Sequence, residues 1–182
     1  MCTTEFIAYA KMQPQFAAQN AELLGLSIDS NYSHLAWVYA IYLSIGIQIP
    51  FPVVADRTGE IARLYGMIAP ETSQQETVRN VYIIDPNQII RAILIYPITN
   101  GRNIPEILRL LTALQTTDRE HVLTPANWEP GQPVLVPAPQ TYQELLARQA
   151  NPQAQGLSCE EWYWCYKGLP PVDESGKSIH TE

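Results

Sequence analysis

Three kinds of residue are scarce in this 182-residue chain, and each scarcity closes off a class of function. Three cysteines, Cys2, Cys159 and Cys165, are too few to staple a small secreted scaffold. Eleven Lys and Arg against eighteen Asp and Glu leave a formal net charge of −7. That balance argues against nucleic acid or an anionic membrane as a partner. No apolar run approaches the roughly eighteen residues that a membrane-spanning helix needs. The first residues lack the basic and apolar regions of a secretory signal, so the expectation is a cytoplasmic protein with functional or inert thiols. His34, His121 and His180 are too few and too scattered to complete a zinc set with the cysteines.

What is present is the material of a folded core: 46% of the residues are apolar. Helix patterning runs from Thr4 to about Asn20, interrupted by Pro14. A strand is expected at Leu23–Ile28. A helix capped by Ser33 should follow to about Ser44, with Gly46 ending it. Pro50–Asp56 offers a short strand, its length limited by two prolines, and Gly59–Tyr65 a short helix. Val78–Ile84 and Ile89–Tyr96 read as a hairpin across the turn Asp85-Pro86-Asn87-Gln88. Ile104, Ile107, Leu108, Leu111 and Leu114 give the 103–115 segment the clearest helical face in the chain. This alternation predicts an α/β layered domain over residues 1–116. Residues 117–182 hold eight of the fifteen prolines and one clear helical stretch, Tyr142–Ala150. They read as an extended arm without a second core, anchored by Trp128, Trp162, Tyr163, Trp164 and Tyr166 and disordered from Val172 onward.

The residue with chemical promise is Cys2, at the threshold of the first helix. Unpaired backbone N–H groups and the positive end of the helix dipole both favour a thiolate there. Position alone leaves open that Cys2 is an ordinary residue, that Arg79 is a solvent-facing strand arginine, and that Glu5 merely complements the dipole. Cys159 and Cys165, six residues apart, could equally be inert thiols packed among aromatic rings.

Cys2-Thr3-Thr4-Glu5-Phe6 resembles the segment that carries the reactive cysteine of peroxiredoxins, in particular the 1-Cys type and the long-armed archaeal thioredoxin peroxidases. Further resemblances follow in family order. They are Tyr32-Ser33-His34-Leu35-Ala36-Trp37, Ile49-Pro50-Phe51-Pro52, Ala62-Arg63-Leu64-Tyr65-Gly66-Met67 and Thr77-Val78-Arg79. Tyr82-Ile83-Ile84-Asp85-Pro86, Tyr96-Pro97, Gly101-Arg102-Asn103 and Thr124-Pro125-Ala126-Asn127-Trp128 complete the series. The resemblance implies a thioredoxin-like fold with an extended C-terminal arm. It implies that Cys2 attacks the O–O bond of hydrogen peroxide or an alkyl hydroperoxide and becomes a sulfenic acid. Arg79 would favour the thiolate and polarise the peroxide, Glu5 would orient the arginine, and Arg102 would be a second arginine of the site. Cys165 would resolve the sulfenate of a neighbouring subunit and Cys159 exchange with it. No bound cofactor is implied. The partners are an external thiol reductant, thioredoxin or another dithiol, and copies of the chain in a homodimer or a ring of up to ten. His34 and Trp37 would line the wall beside the site.

The sequence departs from that pattern at its start. Met1 directly precedes Cys2, where the family carries early strands and a Pro-x-x-x-Thr-x-x-Cys motif. The strands at Leu23–Ile28 and Val78–Ile84 would then each keep an unpaired edge, at about 1–3 kcal/mol per unsatisfied buried group. The expectation is a start downstream of the true one. The alternative is a weakly active remnant that serves as an oligomerising or holdase module.

Overall fold

A computed structural model describes residues 1–68 and 79–169. The chain divides into two units, Met1–Pro105 and Glu106–Glu182. The division thus falls before residue 116, near the start of a long helix whose Ala113 joins the second unit's buried cluster. Thr77 and Val78, and the tail from Val172, lie outside the described residues.

In the first unit, α1 (Cys2–Ala18) begins without a side-chain cap. Its opening turn closes on the Met1 carbonyl, which accepts from the Thr4 amide at 3.0 Å and the Thr4 hydroxyl at 2.7 Å. The helix continues through Pro14 to Ala18, and beyond its cap Gln19 the φ of 53° at Asn20 lets the Ala21 amide bond the Phe16 carbonyl at 3.0 Å. β1 (Gly25–Ser27) pairs in parallel with β2 (Val53–Ala55). Gly25 lets the Phe6 ring pack close: a Cβ there would meet the ring at 3.1 Å, and the ring would have to shift by a few tenths of an ångström. Between the two strands lies α2 (Asn31–Ile45), capped by Ser30 and not by Ser33. The Ser30 hydroxyl accepts from the Ser33 amide at 3.1 Å, the usual spacing from cap to third helical residue, so the serine in extended backbone wins over the one already helical. Gly46, at φ 71°, closes the helix.

After the short α3 (Glu60–Leu64), β3 (Arg79–Ile84) and β4 (Ile90–Tyr96) form the expected antiparallel hairpin. Its turn is built by Asp85, whose carboxylate accepts from the Asn87 amide at 2.9 Å and the Ile89 amide at 3.0 Å. Among the described residues β1–β2 and β3–β4 remain separate two-stranded sheets. Most residues of the four strands are accordingly only half-buried. Apolar order comes instead from an aromatic chain on α1. Phe6 packs on Trp37 at 4.6 Å and on Phe51 at 5.2 Å, and Tyr9 lies between Phe51 and Phe16.

The second unit departs from the expectation of a coreless arm. α4 (Ile104–Glu120) runs into it from the first unit, and Ala113 joins Val122, Trp128 and Val134 in a buried cluster with Leu169 against it. Trp128 is 1% exposed. Its indole N–H donates to the Gln132 carbonyl at 3.0 Å, and its own carbonyl accepts from Arg109 at 2.8 Å. One large ring with its polar tip satisfied supplies what many small residues supply elsewhere. β5 (Val134–Leu135), β6 (Leu157–Glu161) and β7 (Trp164–Lys167) make a three-stranded sheet in the order β5-β7-β6. α5 (Tyr142–Ala150) lies where its pattern put it, held by a full capping box between Thr141 and Glu144. Among the described residues no helix is long and apolar enough to cross a membrane.

Candidate active site

Cys2 and Glu5 stand one turn apart at the start of α1 and therefore share a face. Cys2 is a free, exposed thiol; Glu5 is 4% exposed. Arg79, where β3 begins, bridges the two. One guanidinium nitrogen donates to Cys2 Sγ at 3.3 Å, and the other forms an ion pair with Glu5 Oε1. Arg102, just before α4, reaches Glu5 from a second direction. Its backbone N–H donates to Oε1 at 2.8 Å and its guanidinium to Oε2 at 2.6 Å. A second Arg102 guanidinium nitrogen donates to the Asn80 carbonyl at 3.1 Å, tying the second arginine to the strand that carries the first.

A buried carboxylate is costly unless it is paired and hydrogen-bonded, and Glu5 meets that condition with three donors from two arginines. Burial alone would push its carboxyl up. The Arg102 backbone N–H, the Arg79 guanidinium and the charges of both arginines outweigh burial and hold it below the usual carboxylate range. Arg79 responds in the opposite sense. Burial disfavours its charge, but its bonds to Glu5 and Cys2 hold the guanidinium above its ordinary value. Two cations on one anion leave a net positive charge beside the sulfur. Tyr9, one turn beyond Glu5, has its phenol pushed up to about 12 by burial and stays neutral behind the cluster.

The four residues expected at the front of the site, Cys2, Glu5, Arg79 and Arg102, are thus brought together. Trp37 contributes a contact the sequence did not announce: its indole N–H donates to the Thr3 hydroxyl at 3.2 Å, pinning the uncapped first turn. Buried His34 meets the Ser27 hydroxyl at 2.7 Å, tying α2 to the end of β1. Asn80, which enters through its backbone, carries no side-chain signal. Cys159 and Cys165 are joined to each other in a disulfide across β6 and β7.

Chemically, the arrangement is an accessible sulfur nucleophile with a fixed donor directed at the same spot. An oxidant that presents an O–O bond to the sulfur would place its oxygens within reach of that donor, where charge develops as the bond breaks.

The comparisons with known proteins agree. Residues 1–93 match the AhpC/TSA family, and residues 113–151 match the C-terminal domain of 1-Cys peroxiredoxin. The chain is 53% identical to peroxiredoxin 2 of Caldanaerobacter subterraneus subsp. tengcongensis, over 92% of this chain and 75% of that one. It is 47% identical to a peroxiredoxin of Aquifex aeolicus, over 92% and 78%. Among solved structures it resembles the yeast mitochondrial 1-Cys peroxiredoxin, with a TM-score of 0.78 and 34% identity over 92% of this chain and 79% of that one. It also resembles a cysteine-to-serine mutant of peroxiredoxin 6 of Arenicola marina, with a TM-score of 0.79 and 31% identity over 94% and 80%. The chain belongs to the AhpC/TSA family of peroxiredoxins. Its fold is thioredoxin-like, and its activity is that of a thiol-dependent peroxidase.

Proposed function

We propose that Cys2 is the attacking thiol and that Arg79, Glu5 and Arg102 complete its site. The observation that carries this reading is the 3.3 Å donor contact from Arg79 to Cys2 Sγ, with Arg79 itself fixed by Glu5. The Cys2 thiolate attacks one oxygen of hydrogen peroxide or an alkyl hydroperoxide. A sulfur–oxygen bond forms, the O–O bond breaks, and the departing oxygen leaves with the electron pair and takes a proton as water or an alcohol. Arg79 meets the charge that develops on those oxygens; Glu5 and Arg102 hold Arg79 at the angle that makes this effective.

The sulfenic acid is then reduced. Cys165 of a neighbouring copy displaces its oxygen as water, and exchange with Cys159 delivers the oxidation to the Cys159–Cys165 disulfide. A thioredoxin-like protein or other dithiol supplies the two electrons that reopen it. This chain resembles the yeast 1-Cys peroxiredoxin, described as resolving its thiol through glutathione and thioredoxin systems, which supports a thiol reductant of that class. A homodimer, or a ring built from dimers, in the cytoplasm is the corresponding assembly and setting.

The test is peroxide consumption by the reduced chain under a thioredoxin couple, compared with its Cys2→Ser variant. Loss of turnover in the variant is expected; a rate that Cys2→Ser leaves unchanged would sink the proposal.

A further inference from the structure

Cys159 and Cys165 are directly opposite each other in the β6–β7 hairpin and joined in a disulfide, yet their surroundings differ sharply. Cys165 is 0% exposed, shut in beneath the sheet. Cys159 is partly open, flanked by exposed Ser158 and Glu160, with exposed Glu161, Trp162 and Tyr163 along the turn. Thiol–disulfide exchange is directional: the incoming sulfur must approach along the S–S axis from the far side of the sulfur it attacks. Of the two residues only Cys159 is partly exposed to an incoming thiol, whereas Cys165 is fully buried.

We propose that Cys159 is the sulfur an external thiol attacks when this disulfide is reopened, and that Cys165 is the leaving group. The inference rests on the reading of this pair as the disulfide the enzyme recycles. The incoming thiolate forms a bond to Cys159 Sγ as the Cys159–Cys165 bond breaks. Cys165 departs with the electron pair and takes a proton from solvent. The resulting Cys165 S–H finds the Glu161 carbonyl oxygen at 3.4 Å and that of Trp162 at 3.9 Å, both acceptors for a thiol proton. A dithiol reductant finishes the step: its second sulfur attacks its first, Cys159 leaves as a thiolate, and two electrons have passed to the pair. Opening the hairpin to attack Cys165 instead would disrupt the β7 strand that pairs on both sides with β5 and β6. Glu160 and Glu161 near the open sulfur also disfavour a reagent that carries negative charge besides its thiolate, so a thiol without a carboxylate is the better probe.

The experiment uses the full chain carrying Cys2→Ser, so that no third thiol competes, oxidised with diamide to the intramolecular disulfide. It is exposed briefly to 2-mercaptoethanol and quenched in acid. Free thiols are then blocked with N-ethylmaleimide under denaturing conditions and the adducts mapped by peptide mass. The expected result is mercaptoethanol on Cys159 and maleimide on Cys165, in at least about tenfold excess over the reverse pattern. Equal or reversed labelling would overturn the inference, as would failure of the pair to form a disulfide under diamide. Peroxide turnover of the unmodified chain under a dithiol, measured separately, reports on the catalytic reading alone.

Discussion

The two units of this chain solve the problem of burying polar groups in opposite ways. The first unit places a carboxylate and two guanidiniums together at 4–17% side-chain exposure and gives the carboxylate three hydrogen-bond donors. The second buries a single indole and closes a hairpin with a disulfide. One arrangement is expensive and chemically active. The other is cheaper to build, and its chemistry is confined to the Cys159–Cys165 pair. A buried ion cluster that costs stability on its own account is intelligible where it holds a reacting sulfur in place.

The sharpest way to test that contrast is to remove the sulfur. Cys2→Ser should lower the second-order rate constant with hydrogen peroxide at least about a thousandfold, measured by stopped-flow peroxide consumption. Arg79→Met should cost about 10²–10³-fold in the same assay, the usual loss when a single preorganised donor is removed. Glu5→Gln leaves two guanidiniums facing a neutral amide. It should destabilise the first unit by about 3–5 kcal/mol in urea unfolding. In the second unit, Trp128→Ala should cost a similar amount, about 3–5 kcal/mol, but through cavity formation, with no salt dependence.

A pH titration separates the two units further. The folded-state carboxyl of Glu5 lies below its ordinary value of 4.5. Its contribution to stability is therefore fully present above that ordinary value and is lost as pH falls through the lower, folded one. Acid unfolding followed at Trp37 should lose this dependence in Glu5→Gln, while a Trp128 signal should not change its course. The smallest effect belongs to the hairpin turn, where Asp85→Ala removes two amide acceptors and should cost about 1 kcal/mol in thermal unfolding.

How far the sequence carried is best seen at particular residues. The β3–β4 hairpin was legible because Asp85-Pro86-Asn87-Gln88 is turn chemistry between two β-rich runs, and α5 because Tyr142–Ala150 reads as helix; its capping box between Thr141 and Glu144 emerged only in the structure. Cys2, Glu5, Arg79 and Arg102 were legible as a set only through a family resemblance; helical spacing links the first two, and nothing local links Arg79 or Arg102 to them. The Trp37–Thr3 bond and the Asn80 carbonyl went unseen, since one joins residues 34 apart and the other is backbone. The proline-rich stretch after residue 116 concealed a core because composition reports the density of apolar residues, and here one tryptophan replaces several smaller side chains. Its strands are two to five residues long, too short for alternation to register.

The central claim is that Arg79, held by Glu5, makes Cys2 a better nucleophile toward peroxide than a free thiol. The direct measurement is the rate of Cys2 oxidation by one equivalent of hydrogen peroxide, followed by quenched-flow intact mass in the reduced chain and in Arg79→Met. Oxidation orders of magnitude faster than free cysteine, with most of that acceleration gone in the variant, is the result this account requires. Oxidation at the rate of free cysteine, or an equal rate in both proteins, would contradict it.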